Sequence, residues 1–325
     1  MEGGTKVVQD AFIRRLIVKF YGGLGNQIFQ YAAGLYFAKR TSIPLEIVQP
    51  PERPKDKWGK FPPRPFQMDA FSIEGRFRPA TKVDRLFFSI KPRLRFLRGE
   101  IEGISGMQTI EEPALYRFFP DLIDDAHART VYLIGYFQAA EYAEAVADQL
   151  RSSLKLRSAP QQRNLDYSDA IGALACPVSL HIRAGDYAWV SWTNTNGSAK
   201  VSWVLQRSYY RAAIEQMRSL VPEATFVVFS DDQAVAREIL SDVPASLWVE
   251  GNDTGNAYED LWLMSCCKHH IIANSSFSWW GAWLNPSQDK VVFAPKYWYN
   301  THHSYFPDLY PSSWILIDNL AGATG

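Results

Sequence analysis

The sequence predicts an α/β protein of two domains, each a parallel sheet with helices on both faces. Three observations carry that expectation. The chain has 325 residues, room for about two domains at ~150 residues each. Short apolar runs alternate with stretches whose apolar residues recur at helical spacing, the pattern of repeated β-α units. A polar stretch from Arg157 to Tyr167 interrupts that alternation near the middle and has the composition of a linker. The boundary is therefore placed between residues 1–160 and 161–325.

In the first half, the run Arg15 to Phe20 reads as a strand, and Tyr21-Gly22-Gly23-Leu24-Gly25 follows as a tight turn. From Asn26 to Lys39 the residues Ile28, Phe29, Ala32, Leu35 and Tyr36 mark a helix, and Pro44 to Val48 returns to a strand. Prolines at 44, 50, 51, 54, 62, 63 and 65 then exclude regular structure and predict a surface excursion. Between residues 51 and 100 there are 13 Lys or Arg against 6 acids. Such a patch reads as a solvated face or as a surface for an anionic acceptor or membrane. Thr130 to Gly135 is another strand, followed by a helix from Ala140 to Leu154.

The second half alternates more clearly. Strands are expected over 177–182, 224–229, 247–249, 270–273 and 291–294. Between them, Tyr210, Ala213, Ile214, Met217 and Val221 mark one helix, Ser230-Asp231-Asp232 should cap a second that runs to Leu240, and two more lie at 257–267 and near 277–284. Repeated alternation of this kind means parallel sheets, and two such domains meet at a cleft.

Composition narrows the function. Thirty-four basic residues balance thirty-four acidic ones, which leaves no global field for nucleic acid. Aromatic residues reach 14%, and such rings suit sugars. Three cysteines, two of them adjacent, give no disulfide framework and fit a reducing compartment. With neither a signal-like N-terminus nor an apolar run near the ~18 residues of a membrane span, the expectation is a cytoplasmic protein.

Three strand ends carry anion chemistry. The turn Gly23-Leu24-Gly25-Asn26-Gln27 opens a helix, where free N–H groups favour phosphate, although the glycines are equally explained by tight geometry. A dinucleotide fingerprint would need glycine at Ile28, and Glu46 stands where a ribose-binding acid would fall. His181-Ile182-Arg183-Ala184-Gly185-Asp186-Tyr187 ends a strand, and Arg183 is either a forked donor for a diphosphate or half of a structural ion pair with Asp186. Asn274-Ser275-Ser276-Phe277-Ser278 opens another helix with hydroxyls and amides, more polar groups than capping alone needs. Cys266-Cys267-Lys268-His269-His270 lacks a second half and His302-His303 is isolated, so no metal site is expected. No Asp-x-Asp occurs, which removes the usual carboxylate handle for a metal-chelated nucleotide sugar.

Taken together, the stretch from Tyr21-Gly22-Gly23-Leu24-Gly25-Asn26-Gln27 to Pro295-Lys296 resembles glycosyltransferase family eleven, the α-1,2-fucosyltransferases, in its bacterial form. The strongest pieces are HIRAGDY at 181–187, FSDD at 229–232, YEDLWLMSCC at 258–267 and NSSFSWWGAWLN at 274–285. The resemblance implies a GT-B fold of two Rossmann-like domains. The N-terminal one would be the acceptor side and the C-terminal one the GDP-sugar side, with the tail packing back on the first. It also implies inverting transfer of L-fucose from GDP-β-L-fucose to the 2-hydroxyl of a terminal β-galactoside, with no metal or other cofactor. The acceptor would be an oligosaccharide or lipid-linked glycan, met by an enzyme peripheral to an anionic inner membrane.

By the same resemblance, Arg183 would hold the β-phosphate of the leaving GDP, and Asn26 with Gly23 and Gly25 would face the donor across the cleft. His181, Asp231 and Asp232 would lie near guanine and ribose, and Ser275, Ser276, Phe277 and Ser278 would complete the phosphate cradle. Asp186 is the candidate base, with orientation of Arg183 as its other reading. One departure stands out: the family pattern His-x-Arg-Arg-Gly-Asp has Ala184 at its second arginine. The loss implies weaker donor binding, a compensating cation elsewhere or a different GDP-sugar. If space remains, Ala184→Arg should tighten the donor. A non-catalytic sugar-binding protein and a nicotinamide-dependent oxidoreductase are the rival classes; the first leaves the phosphate-suited strand ends unexplained, and Ile28 opposes the second.

Overall fold

The computed structural model describes residues 13–49, 64–89, 106–188, 192–193, 200–201, 203–245, 247–299 and 305–320. Pro50, Pro51, Pro54, Pro62 and Pro63, eight of the thirteen basic residues of the stretch 51–100, and His302-His303 lie outside the described residues.

β1 (Arg15–Lys19) has three consecutive side chains, Leu16, Ile17 and Val18, without solvent exposure, as a strand covered on both faces requires. It sits in the middle of a five-stranded sheet with β2 (Leu45–Gln49), β3 (Arg76–Pro79), β4 (Met107–Glu111) and β5 (Thr130–Ile134). The order is β3-β2-β1-β5-β4 and every pair is parallel.

The second sheet is built likewise around β6 (Cys176–Ile182). After a small antiparallel ribbon, β7 (Trp192–Thr193) with β8 (Lys200–Val201), come β9 (Ala224–Ser230), β10 (Leu247–Val249), β11 (His269–Ile271), β12 (Val292–Pro295) and β13 (Ile315–Ile317). These six strands run parallel in the order β10-β9-β6-β11-β12-β13. The order of each sheet reverses beside its first strand, between β1 and β5 and between β6 and β11, and such switch points are where open α/β sheets leave a crevice.

The first helix is Leu24–Thr41, two residues longer at its start than the sequence pattern indicates. Gly22 adopts φ +81, where a Cβ would meet the Asn26 Nδ2 at 2.6 Å, so this turn does require glycine. Gly25 serves a different purpose: a Cβ there would lie 2.4 Å from the Ser276 carbonyl carbon, so the first helix touches the backbone that opens the helix Ser276–Leu284.

Several expectations are corrected. The stretch expected to be a linker contains the helix Gln162–Gly172, whose buried face is only Asn164 and Ile171, too sparse a stripe to read. The helix expected from Ala140 to Leu154 is two, Ala140–Glu144 and Ala147–Ser153. β3, β4, β13 and the helix Lys82–Ser89 are unforeseen: β3, β4 and the helix are short and rich in polar residues, and β13, though apolar, is only three residues long. Glu46 does not await a ribose. It accepts from Arg15 at 2.8 Å on both oxygens and from Arg78 at 2.9 Å, and the hydrogen bonds from Arg15 above all hold its carboxyl down at about 2.

The main core lies under the five-stranded sheet, yet it takes Trp279, Trp280 and Trp283 from the helix Ser276–Leu284, with Trp298, Tyr310 and Trp314 beyond it. Phe29 of the first helix stands 4.6 Å from Trp279 and 4.9 Å from Trp280, ring centre to ring centre. Asp308 accepts the backbone N–H of Phe118 at 3.0 Å, a further tie from the tail to the first sheet.

Candidate active site

The four loops that leave β1, β5, β6 and β11 at their C-terminal ends converge. Asn26, after β1, accepts through its Oδ1 from Gln138 Nε2 after β5 at 2.9 Å and from Ser276 Oγ after β11 at 2.7 Å. Tyr187, after β6, donates its hydroxyl to the Asn274 carbonyl at 3.1 Å, and Asn274 Nδ2 donates to the Trp203 and Trp298 carbonyls. These groups line a cavity of about 230 Å³, with Asn26, Gln138, Asn274 and Ser276 as polar groups and Leu115, Tyr116, Tyr136, Tyr187, Trp203, Trp298 and Tyr299 around them. The Tyr116 and Tyr299 hydroxyls share a hydrogen bond of 2.8 Å.

Charge is concentrated beside this cavity. Arg183 donates from Nη2 to Asp186 Oδ1 at 2.6 Å and approaches Asp231 Oδ2 with Nη1 at 3.0 Å. Asp231 Oδ1 accepts the backbone N–H groups of Ala184 at 2.9 Å and Gly185 at 3.2 Å. A Cβ on Gly185 would stand 2.4 Å from Asp231 Oδ2, which explains glycine there. Burial alone would lower the Arg183 guanidinium, but Asp231 and Asp186 outweigh it and raise it, so the group is a permanent cation. It also lies 5.4 Å from the centre of the Tyr187 ring. The second oxygen of Asp186 is taken by Arg64.

The remaining candidates divide by what their side chains already do. Gly23 is the N-cap of the first helix and Gly25 its contact with Ser276. Of the serines, Ser276 alone joins the cavity wall; Ser275 caps its own helix through the Phe277 N–H at 3.3 Å, and Ser278 Oγ returns to the Ser275 carbonyl at 3.4 Å. Asp232 caps the helix Gln233–Ile239 by accepting from the Val235 N–H at 3.1 Å, as its place in the sequence suggests. His181 is buried with its ring 5.9 Å from Phe277, and its Nδ1 has no hydrogen-bond partner among the described residues. Burial, then the charge of Arg183, pushes its imidazole down to about 3, so it is neutral at physiological pH.

Ala184 corrects one expectation. It has no exposed surface and belongs to the apolar cluster that holds Ile182, Tyr210 and Ala213. No pocket awaits an arginine at that position.

Sequence reasoning misses Arg64, Gln138 and the tyrosines, which come from loops with no periodic pattern. Glu112 is missed as well. Its carboxylate accepts the N–H groups of Tyr136 at 2.7 Å and Phe137 at 3.0 Å, and so holds the turn that presents Gln138. Burial raises its carboxyl above the ordinary range despite those two donors. Phe137 sits at φ 53 in this turn, a strained geometry that the clamp sustains.

Chemically, the site offers guanidinium charge and helix N-termini for an anion, beside an aromatic cavity large enough for a sugar ring. Among the described residues no group of three His, Cys, Asp or Glu could hold a metal ion, and none of the described helices is long and apolar enough to cross a membrane. A larger cavity of about 630 Å³ lies at the connection between the sheets, lined by Phe71, Leu156, Pro160, Leu261 and Trp262 among others, and includes none of these four loops.

The chain is similar to several known proteins. The profile described as Glycosyl transferase family 11 matches residues 116–318. An O-antigen biosynthesis glycosyltransferase, WbnK of Escherichia coli, is 31% identical over 90% of this chain and 97% of its own length. An alpha-1,2-colitosyltransferase of Escherichia coli is 28% identical over 93% of this chain and 99% of its own. Among solved structures, Arabidopsis thaliana FUT1, a variant in complex with GDP, superposes with a TM-score of 0.50 at 13% identity, covering 95% of this chain and 77% of that one. That likeness speaks to the fold, two parallel-sheet units facing a cleft in the GT-B manner.

Proposed function

From the premise that the chain belongs to glycosyl transferase family 11, and is therefore a glycosyltransferase, we propose that it transfers L-fucose from GDP-β-L-fucose to the 2-hydroxyl of a terminal β-galactoside, with inversion. The observation that carries this reading is the juxtaposition of the aromatic cavity around Asn26 and Ser276 with the Arg183 cluster, joined through Tyr187. A sugar in the first would have its diphosphate at the second.

In this mechanism the bond from C1 to the diphosphate oxygen breaks as the acceptor oxygen attacks from the opposite face. Arg183 donates to the departing diphosphate, where charge develops, and a preorganised donor of this kind acts on the transition state rather than on the ground state. Asn26, Gln138 and Ser276 orient the sugar by neutral hydrogen bonds. In this reading His181, Asp231 and Asp232 lie on the nucleoside side, where Asp231 also holds Arg183 and Asp232 also caps its helix. Asp186 has both oxygens on guanidinium groups, which makes orientation of Arg183 its first role; it takes the acceptor proton on Oδ1 only when the donor draws Arg183 away. No metal is required, since arginine charge replaces it.

The acceptor in this reading is a glycan precursor of the bacterial surface, lipid-linked and met at the cytoplasmic face of the inner membrane, a setting suited to the relative named for O-antigen biosynthesis. The colitosyltransferase relative supports a second reading, transfer of a GDP-sugar that lacks the 3-hydroxyl of fucose. Incubation with each GDP-sugar and a β-galactoside, in excess EDTA, decides among these. An α-1,2-linked fucoside by NMR supports the first reading, and a preference for GDP-colitose supports the second. Activity lost in EDTA and restored by manganese would overturn the metal-free chemistry.

A further inference from the structure

Without Arg64, the charged cluster would have the wrong sign for a diphosphate. Arg183 contributes one positive charge and Asp186 and Asp231 two negative ones, all within 3.0 Å contacts. A site of net negative charge repels the group it is meant to bind. The family arginine that would correct this is missing, and Ala184 is sealed in the core. We infer that Arg64, carried by the other half of the chain, is the second cation of the diphosphate site. This inference rests on the GDP-sugar reading above.

Arg64 is built into place rather than draped on the surface. Its guanidinium contacts the Asp186 oxygen that Arg183 leaves free, so the two guanidiniums flank one carboxylate. Its Cδ and Nη1 also come within 4.0 Å of where a Cβ on Gly23 would be, at the start of the first helix. Behind it, the buried Gln27 grips the chain on both sides of Phe66: its Nε2 donates to the Pro65 carbonyl at 2.8 Å, and its Oε1 accepts the Gln67 N–H at 3.0 Å. Phe66 packs its ring 5.6 Å from that of Phe20, and Gln67 donates across the cleft to the Gly255 carbonyl at 2.9 Å. Pro65 further biases the preceding residue to extended backbone. Gln27, in the glycine turn, thus has a task of its own, to aim Arg64.

A guanidinium carries five N–H donors. Arg64 commits Nη2 to Asp186, and its side chain remains 29% exposed. The remaining donors can reach a diphosphate without surrendering Asp186. The donor is then held by cations from both halves, Arg183 and Arg64.

Calorimetric titration of the full chain with GDP and with guanosine tests the assignment, using the parent, Arg64→Gln and Arg64→Lys. A charge-assisted hydrogen bond of the usual strength corresponds to about 10- to 100-fold in affinity. Arg64→Gln should weaken GDP by at least about 10-fold, leave guanosine unchanged and flatten the salt dependence of GDP binding, while Arg64→Lys restores part of the loss. Equal GDP affinity in parent and Arg64→Gln overturns the inference, and so does an equal loss for GDP and guanosine, which marks a structural role. A parent that does not bind GDP overturns instead the reading on which the inference stands. Arg64→Lys keeps the test decisive should Arg64→Gln fold poorly, because it preserves charge and shortens reach.

Discussion

The loops that follow the first strand of each sheet occupy the same place in their sheets and use opposite chemistry. After β1 the turn carries glycines, Asn26 and Gln27, with no charged side chain, and works through neutral amides and close backbone approach. After β6 the loop carries Arg183 and Asp186, with Asp231 from the end of β9 folded against it. A neutral turn tolerates the backbone of Ser276 against Gly25; a charged one could not, since desolvating an ion so close to main chain costs several kcal/mol unless it is paired. The charged loop is therefore neutralised only with Arg64 from the other half, and its ions can exchange partners when an anion arrives. One loop fixes geometry, and the other answers charge.

Removing charge from the second loop should have the largest consequence. Arg183→Ala should lower kcat by ~10²- to 10³-fold, the usual cost of one donor to a developing anion, with the melting temperature near that of the parent because Asp186 and Asp231 keep Arg64 and two backbone N–H groups. Single-turnover kinetics beside calorimetry measure both, and a near-normal rate would move the leaving group elsewhere.

Adding charge to that loop in the wrong place should come next. Ala184→Arg forces a cation into an apolar cluster, at about 3 kcal/mol or more. Urea denaturation should show the loss, and the Michaelis constant for the donor should not fall. An Ala184→Arg protein of parental stability and tighter donor binding would mean that the loop opens outward.

The neutral loop should respond more gently. Asn26→Ala strips the acceptor from Gln138 Nε2 and Ser276 Oγ, worth about 1 kcal/mol for such bonds. The expected result is a several-fold rise in the donor Michaelis constant with kcat changed less. A collapse of kcat comparable to that of Arg183→Ala would erase the distinction between the two loops.

The smallest effect concerns acid stability. His181 titrates near 6.5 when unfolded but is pushed down to about 3 in the fold, so the unfolded chain binds more protons between those values. Its contribution is intact above pH 6.5 and is lost as pH falls toward 3. His270, also held well below its ordinary value by burial, adds to the same slope. His181→Gln should flatten the fall of melting temperature between pH 6.5 and 4 by part, with His270 supplying the rest. An unchanged slope would show that the imidazole is hydrated.

The contrast also explains what could be read in the sequence. Arg183, Asp186 and Asp231 sit at the ends of strongly apolar strands, where β6 is buried over six consecutive residues, and their position follows from local pattern. The cap at Asp232 and the turn around Gly25 are local too. Arg64, Gln138 and Glu112 are otherwise: the first two reach the site because sheet order places β1 beside β5 and loops fold over that switch point, and Glu112 because β4 pairs with β5. Nothing within a dozen residues of Arg64 announces that it meets Asp186. The helix Gln162–Gly172 was hidden for a related reason, because its few buried side chains answer to distant partners such as Glu259, which accepts from Asn164 at 2.6 Å.

The tryptophan-rich helix Ser276–Leu284 has one more consequence, for biosynthesis. Its rings complete the hydrophobic interior beneath a sheet whose last strand in sequence ends at Ile134. As the chain leaves the ribosome from its N-terminus, that interior stays open until the residues through Trp314 have emerged. The nascent first half should therefore recruit chaperones rather than fold alone, and the finished protein should unfold in a single calorimetric transition, with no surviving N-terminal fragment after cleavage between the sheets.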